Sequence, residues 1–194
     1  MKVTELDIRG VFLITPDVHI DYRGYYMESY SQRTLSKFGI HDTFVQDNHL
    51  KSIKAGTMRG IHFQNEPKAQ SKLLRCTKGK IQDVIVDLRK ESPTYKKWLS
   101  IILDDIKKQQ VYIPKGFGHA CLSLVDDVEV QYKVDALYNP EYDRAIAWND
   151  PELNIKWELD DIIVSEKDSN APILEKSDVN FNFRAVSYTH LTLP

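Results

Sequence analysis

One short segment constrains the fold of this chain more than any other. Residues Val128–Val134 read Val-Glu-Val-Gln-Tyr-Lys-Val, an unbroken alternation of apolar and polar side chains. Such alternation predicts a β-strand with one buried face and one wet face. Tyr132 lies on the same face as Val128, Val130 and Val134, so its side chain is predicted to point into a core or a cavity.

Similar short runs, rich in β-branched and aromatic residues and separated by turn residues, recur along the chain. They predict further strands at 11–14, 43–46, 57–63, 72–76, 81–88, 98–103, 110–113, 120–125, 145–148 and 162–164. The connections are too short for helical crossovers, so the sheets should be mainly antiparallel. One helix is predicted at 33–37, with Ser31 as N-cap and Gly39 as the stop, and a short turn at 104–108. Together these features predict an all-β sandwich or jelly-roll barrel with a few short helices.

Composition narrows the possible classes of protein. The chain is 42% hydrophobic and 28% charged, which is typical of a globular domain. Its 26 Lys and Arg against 28 Asp and Glu lack the basic excess of a nucleic-acid-binding protein. No apolar stretch approaches the roughly 20 residues of a membrane span, and the N-terminus carries acids instead of an apolar signal segment. We therefore expect a cytoplasmic protein without membrane or nucleic-acid partners.

The two cysteines and the C-terminal residues complete the domain prediction. Cys76 and Cys121 have neither the spacing nor the companions of a zinc site or disulfide framework, so both are expected to be buried thiols. No repeat or linker divides residues 1–184, which are predicted to form a single domain. Residues 185–194 contain no acid or lysine and are predicted to be a non-native or disordered tail, with an ordinary C-terminal strand as the alternative.

Two histidines within strand-like sequence indicate where chemistry could occur. His62 lies in Met58–Gln64, where alternation puts Met58, Gly60 and His62 on one face and Arg59, Ile61 and Phe63 on the other. A lone strand histidine is usually structural. However, 114–119, Pro-Lys-Gly-Phe-Gly-His, matches the P-x-G-x-x-H pattern of the second cupin motif, and 59–62 lies where the first motif is expected. Metal-binding cupins have H-x-H there, and this chain has Gln64 in place of the second histidine. His62 and His119 alone are too few for a metal site, so no metal is predicted.

The motifs together resemble the dTDP-4-dehydrorhamnose 3,5-epimerase family. Matching stretches occur in the family's order over about residues 10 to 175: 21–28, 46–48, 59–64, 70–73, 79–84, 113–119, 148–151 and 165–168 with Pro172 and Leu174. Each stretch alone is weak evidence, but agreement in order across so many short motifs is improbable by accident. The resemblance implies a metal-independent cupin epimerase that needs no cofactor and converts dTDP-4-dehydro-6-deoxy-D-glucose to dTDP-4-dehydro-L-rhamnose.

The resemblance also implies catalytic roles. His62 matches the family's base, and Asp168 the carboxylate that orients its ring. Lys72 matches the lysine near the developing oxyanion, and Tyr132 the tyrosine thought to return a proton from the opposite face. Each residue also has an ordinary structural explanation: a turn cap for Asp168, a solvated edge for Lys72 and a core aromatic for Tyr132.

Binding roles follow in the same way. Arg59 and Arg23 match arginines that clamp the pyrophosphate, a task suited to the guanidinium fork. Tyr26, Glu28, Gln46 and Asn48 match family residues around the pyrimidine base. His119 and Tyr138 match family residues that line the sugar pocket. Because some nucleotide contacts in the family come from the neighbouring subunit, the resemblance implies a homodimer with exchanged N-terminal strands.

Departures from the family pattern keep alternatives open. Ala120-Cys121 replaces a usual glycine and aromatic, Leu50 a usual serine, and Tyr26 a common phenylalanine. Because such changes can redirect substrate preference, an epimerase acting only at C3 or only at C5 is an alternative. Two others are a metal-dependent cupin enzyme using His62, His119 and carboxylates, and a non-catalytic sugar-binding or regulatory barrel.

Overall fold

A computed structural model describes residues 1–183 of the chain. Strands dominate it, with two short α-helices and one 3-10 turn among these residues. The strands are β1 (Lys2–Glu5), β2 (Phe12–Thr15), β3 (Val18–Asp21), β4 (Gly24–Met27), β5 (Gln46–Ser52), β6 (Met58–Gln64), β7 (Lys72–Lys78), β8 (Lys80–Asp87), β9 (Trp98–Asp104), β10 (Gln110–Ile113), β11 (Phe117–Ser123), β12 (Val128–Val134) and β13 (Asp143–Ala145). The helices are α1 (Gln32–Ser36) and α2 (Glu166–Ser169), and the 3-10 turn is Leu174–Lys176.

Two sheets form the body of the molecule. The larger has the strand order β1-β2-β10-β7-β12-β5, and the smaller has the order β13-β6-β11-β8-β9. The pair β3–β4 forms a separate hairpin. All paired strands run antiparallel. This confirms the predicted all-β, antiparallel cupin-type jelly roll with a few short helices.

The hydrophobic cores explain why the two sheets stay together. One cluster joins Leu74 and Val130 of the larger sheet to Ile85 and Phe117 of the smaller, so it lies between the sheets. A second cluster covers the other face of the smaller sheet with residues from 146–181. Strand β8 is therefore buried on both faces, and a charged residue within it needs a specific partner.

The strand predictions were accurate where apolar residues alternate and poor where the chain is exposed. Strands β10 and β12 have the predicted bounds, and most other core strands shift by one to three residues. The prediction at 43–46 was wrong, because β5 begins only at its last residue. Residues 162–164 make a single parallel bridge, Thr57 with Ile163, instead of a strand. Strand β1 and the hairpin were missed because their side chains are mostly exposed and carry no buried face.

The local predictions have mixed outcomes. Helix α1 has Ser31 as its N-cap, whose hydroxyl accepts a hydrogen bond from the Thr34 amide, as expected. Cys76 and Cys121 are both unpaired and buried, which confirms that prediction. No helix in the described part of the chain is long and apolar enough to cross a membrane. The predicted tail at 185–194 lies outside the described residues.

Candidate active site

A cavity of about 440 Å³ opens between the two sheets and the segment that carries α2. This volume is within the range of small-molecule sites. Its lining combines apolar residues with several cations, two histidines, a tyrosine and an aspartate: Leu50, Thr57, Met58, Arg59, His62, Lys72, Leu74, His119, Cys121, Tyr132, Ile163, Val164, Ser165, Lys167 and Asp168. All four predicted catalytic residues therefore meet in one cavity.

A β-bulge in β6 brings Arg59 and His62 to the same cavity. His119 of β11 pairs with His62, whereas Cys121, two residues later, pairs with Arg59, three residues earlier. The extra residue in β6 breaks the alternation, so the prediction that Arg59 and His62 lie on opposite faces was wrong. Gly60 fits this bulge because it has a φ of +135° and its Cα lies too close to Ala120 for a side chain.

Helix α2 delivers Asp168 to His62. The preceding residues are fixed to the barrel, since the Met58 amide donates to the Ile163 carbonyl at 2.8 Å. Ser165 caps α2 by accepting from the Asp168 amide at 3.1 Å, and the Asp168 side chain is only 3% exposed. Asp168 Oδ1 then lies 2.5 Å from His62 Nε2. This leaves Nδ1 as the ring nitrogen of His62 without a hydrogen-bond partner among residues 1–183.

The environment of Asp168 keeps it ionised. Burial alone would raise the pKa of the carboxyl, but hydrogen bonds from His62 and Ser165, together with the nearby imidazole, outweigh it and lower the pKa. An ionised Asp168 orients the imidazole of His62 and stabilises its protonated form. The pair is thus arranged as a general base with a fixed ring.

Lys72 and Tyr132 line the same cavity from the larger sheet. Desolvation by burial lowers the pKa of Lys72 to about 8, against the attraction of the carboxylates Asp83 and Asp143. The ammonium therefore remains mostly protonated at neutral pH and can stabilise a developing anion. Burial raises the pKa of Tyr132, so its phenol keeps the proton that a general acid must donate.

A second His–Asp pair lies beside the first. His119 Nε2 is 2.7 Å from Asp83 Oδ2, and both side chains are almost completely buried. His119 was predicted to line a sugar pocket, and its ring does line the cavity. Asp83 was not singled out from the sequence. Asp83 lies between Ile81 and Ile85 on one face of a buried strand, and this pattern is visible in the sequence. It could have indicated a functional residue, because burial of a carboxylate is unfavourable unless a partner compensates for it.

Gln46, Asn48 and Tyr138 lie near the cavity without lining it. Gln46 Nε2 donates to Asn48 Oδ1 at 2.7 Å, and Asn48 pairs across the sheet with Tyr132. Tyr138 is 60% exposed, and its hydroxyl donates to Asp143 Oδ2 at 3.1 Å. The same carboxylate oxygen lies 2.5 Å from Lys167 Nζ. Lys167 lines the cavity and was missed, although it adjoins Asp168 in one of the motifs.

The remaining predicted binding residues lie apart from the cavity. Arg23 and Tyr26 belong to the β3–β4 hairpin; Tyr26 is 73% exposed, and Arg23 makes a fork with the carboxylate of Asp21. Glu28 follows the hairpin and accepts a long hydrogen bond, 3.4 Å, from Thr34 Oγ1. Within one copy of residues 1–183, these three side chains do not reach the His62 pair.

The cavity has the groups that proton transfer at carbon requires. The imidazole of His62, the phenol of Tyr132 and the ammonium of Lys72 line it together with the guanidinium of Arg59. Groups of these types can act as base, acid and stabilising cation. Within residues 1–183, no three His, Cys, Asp or Glu side chains are grouped closely enough to hold a metal ion.

Comparisons with known proteins agree with this chemistry. The family model described as dTDP-4-dehydrorhamnose 3,5-epimerase matches residues 5–176. A dTDP-4-dehydrorhamnose 3,5-epimerase of Methanothermobacter thermautotrophicus is 45% identical over 91% of this chain and 95% of that protein.

Solved structures give the same result. The epimerase of that name from Bacillus anthracis, with TDP and PPi bound, has a TM-score of 0.87 at 45% identity and covers 89% of this chain and 99% of its own. A dTDP-6-deoxy-D-glucose-3,5-epimerase from Legionella pneumophila, in complex with dTDP-4-keto-L-rhamnose, has a TM-score of 0.91 at 34% identity, covering 95% and 99%. This chain therefore belongs to the dTDP-4-dehydrorhamnose 3,5-epimerase family.

Proposed function

We propose that this protein epimerises dTDP-4-dehydro-6-deoxy-D-glucose at C3 and C5 to give dTDP-4-dehydro-L-rhamnose. The observation that carries the proposal is the His62–Asp168 pair, 2.5 Å apart, in a cavity that also contains Lys72 and Tyr132. A hydrogen on a carbon beside a ketone is acidic because the electron pair left behind delocalises onto the carbonyl oxygen as an enolate. The cavity has a group for each charge that develops in this process.

In the proposed reaction, one proton is removed from the carbon on one face and one proton is returned on the other. His62 removes the proton from the carbon, the C–H electron pair moves to the carbonyl oxygen, and Asp168 stabilises the imidazolium. The Lys72 ammonium stabilises the enolate oxygen. Tyr132 then donates its phenolic proton to the carbon from the opposite face, which inverts the centre, and exchange with water restores both groups. The same sequence at the second carbon completes the reaction.

Nucleotide binding is proposed to involve two copies of the chain. Arg59 lines the cavity, where its guanidinium can pair with a diphosphate. Arg23, Tyr26 and Glu28 are proposed to contact the nucleotide in the cavity of a second subunit, as a strand-exchanged homodimer allows. The hairpin supports this proposal because it presents apolar side chains to solvent, including Tyr22 at 97% and Ile20 at 80% exposure.

Gln46, Asn48, His119 and Tyr138 are proposed to complete the substrate contacts at the base and the sugar. We also propose a cytoplasmic location for the enzyme. Two buried cysteines that remain unpaired are typical of a reducing compartment.

Incubation of the 4-keto-6-deoxyglucose nucleotide with the protein in D2O tests the proposed function. Two deuterium atoms, one at C3 and one at C5, are the expected result. Label at a single carbon would identify a single-position epimerase, an alternative motivated by Leu50 and Cys121 in the cavity wall, where this chain departs from the family pattern. No label at either carbon would contradict the proposal.

A further inference from the structure

Strand β8 contains two completely buried aspartates with different surroundings. Both oxygens of Asp87 are bonded, by the guanidinium of Arg89 and the hydroxyls of Ser92 and Thr94. Asp83 has one bonded oxygen, Oδ2, which lies 2.7 Å from His119 Nε2. Its Oδ1 is buried and has no hydrogen-bond partner among residues 1–183. A buried carboxylate oxygen without a partner is unfavourable, so Asp83 is poorly explained as a purely structural residue.

The cation that best accounts for a buried negative charge at Asp83 is the Lys72 ammonium. Lys72 lines the cavity from β7, and no hydrogen bond or ion pair holds its ammonium within the described chain. Of the two carboxylates that favour the protonated form of Lys72, Asp83 acts more strongly than Asp143. It thereby opposes the desolvation that favours the neutral amine.

Several other groups contribute to the field at Lys72. The titratable or charged side chains that line the cavity with Lys72 or act on its ammonium are Arg59 and His62 of β6, Asp83 of β8, His119 and Cys121 of β11, Tyr132 of β12, Asp143 of β13, and Lys167 and Asp168 of α2. Arg59 and Lys167 add positive charge that disfavours a further cation. Asp168 is hydrogen-bonded to His62, and Asp143 to Lys167, so each of these carboxylates already has a partner.

We propose that Asp83 is a positioning residue for catalysis, which fixes the His119 ring through one oxygen and supplies the main counter-charge of the Lys72 ammonium. This inference rests on the proposed function for its catalytic meaning, because Lys72 matters there as the cation beside the enolate oxygen. The effect of the Asp83 charge on the Lys72 ammonium does not depend on substrate and can be measured in its absence. Asp83 itself touches neither the substrate nor the reacting carbon.

The substitution Asp83→Asn separates charge from shape. Asparagine keeps the size of the side chain and an oxygen that accepts from His119 Nε2, but it removes the negative charge. Without that charge, Lys72 should lose its proton at lower pH, with a midpoint shifted down from about 8 by about one pH unit or more. Titration of lysine side chains labelled with 15N at Nζ measures this midpoint without substrate, and Lys72→Arg identifies the Lys72 signal.

Asp87→Asn is the matched control, since it neutralises an equally buried carboxylate on the same strand that is saturated by Arg89. It should leave the Lys72 midpoint unchanged. If Asp83→Asn does not fold, Asp83→Ser provides a second neutral acceptor of smaller volume. A Lys72 midpoint equal to that of the unmodified protein in the folded Asp83 variant would overturn the inference.

Kinetics provide the second readout. The alkaline limb of kcat/KM should move down with the Lys72 midpoint in Asp83→Asn. In a Lys72→Arg background this limb should already be absent, and Asp83→Asn should not restore it, because arginine stays charged. A shifted midpoint in a protein that does not epimerise the tested sugar would support the inference while contradicting the proposed function. Full epimerase activity with an unshifted Lys72 midpoint would support the proposed function while contradicting the inference about Asp83.

Discussion

The two His–Asp pairs of this molecule are neighbours in the sheet but differ in access. His62 and His119 pair across β6 and β11, and each imidazole has a carboxylate within 2.7 Å. The His62 side chain is 32% exposed and has a carboxylate delivered by a short surface helix. The His119 side chain is 10% exposed, and its carboxylate belongs to a strand buried on both faces.

We expect access and charge environment, rather than pairing alone, to decide the roles of the two pairs. A base must reach the substrate carbon, which favours the more open imidazole of His62. The buried pair can orient groups and supply charge without exchanging protons with solvent. The account therefore predicts unequal effects when corresponding members of the two pairs are changed.

Asp168→Asn should have the largest effect. Asparagine cannot stabilise the imidazolium and can hold the wrong tautomer of His62, so turnover should fall by about three to four orders of magnitude, as for other His–Asp pairs. Nucleotide affinity should stay within a few-fold, measured by calorimetry with TDP. Asp160→Asn, an exposed site on the same C-terminal segment, is the control and should be neutral. A loss of less than tenfold in Asp168→Asn would show that the two pairs are not functionally distinct in the proposed way.

Lys72→Gln should have the next largest effect. Removal of one group that stabilises an oxyanion lowers turnover by about two to three orders of magnitude. The pH profile gives a sharper test, because Lys72 is protonated below a pKa of about 8 and neutral above it. In the unmodified enzyme kcat/KM should decline as pH rises through about 8, and this limb should be absent in Lys72→Gln. A limb that persists in the variant would assign it to another group.

The fold and much of the site could be predicted from the sequence, but some side-chain orientations could not. The fold could be predicted because alternation in β12 and buried runs such as β8 leave few other arrangements. The membership of the cavity was largely predictable from motifs. The orientation of Arg59 was not, because the β6 bulge depends on a close approach of Gly60 to Ala120, which no local pattern reveals.

Other parts of the site depend on long-range geometry. Asp83 carries a recognisable signal, a charge on the interior face of a buried strand, but its partner is 36 residues away and on another strand. The placement of Arg23 and Tyr26 far from the cavity could not be read from the sequence either, since the same residues fit a contact within one subunit or between two.

Ser165→Ala should have the smallest effect. It removes the hydroxyl that caps α2, the helix that carries Asp168. The loss of an N-cap costs about 1 kcal/mol, equivalent to a Tm lower by about 2–4 °C for a domain of this size. A loosened Asp168 should also reduce turnover by less than about tenfold, a penalty of under about 1.4 kcal/mol.

Ser31→Ala provides the control for this prediction. It removes the equivalent cap of α1, a helix away from the cavity, so thermal unfolding should show a similar loss of stability with unchanged turnover. Equal turnover losses in the two cap variants would indicate a general effect of stability instead of a specific effect on Asp168.

The most direct test of the account is deuterium incorporation by His62→Asn and His119→Asn, measured side by side in D2O with the 4-keto-6-deoxyglucose nucleotide. The account predicts that His62→Asn loses exchange at both C3 and C5 by about two to four orders of magnitude while it still binds TDP. His119→Asn should retain exchange at both carbons at a reduced rate. Persistent exchange in His62→Asn together with its loss in His119→Asn would contradict the assignment of His62 as the base.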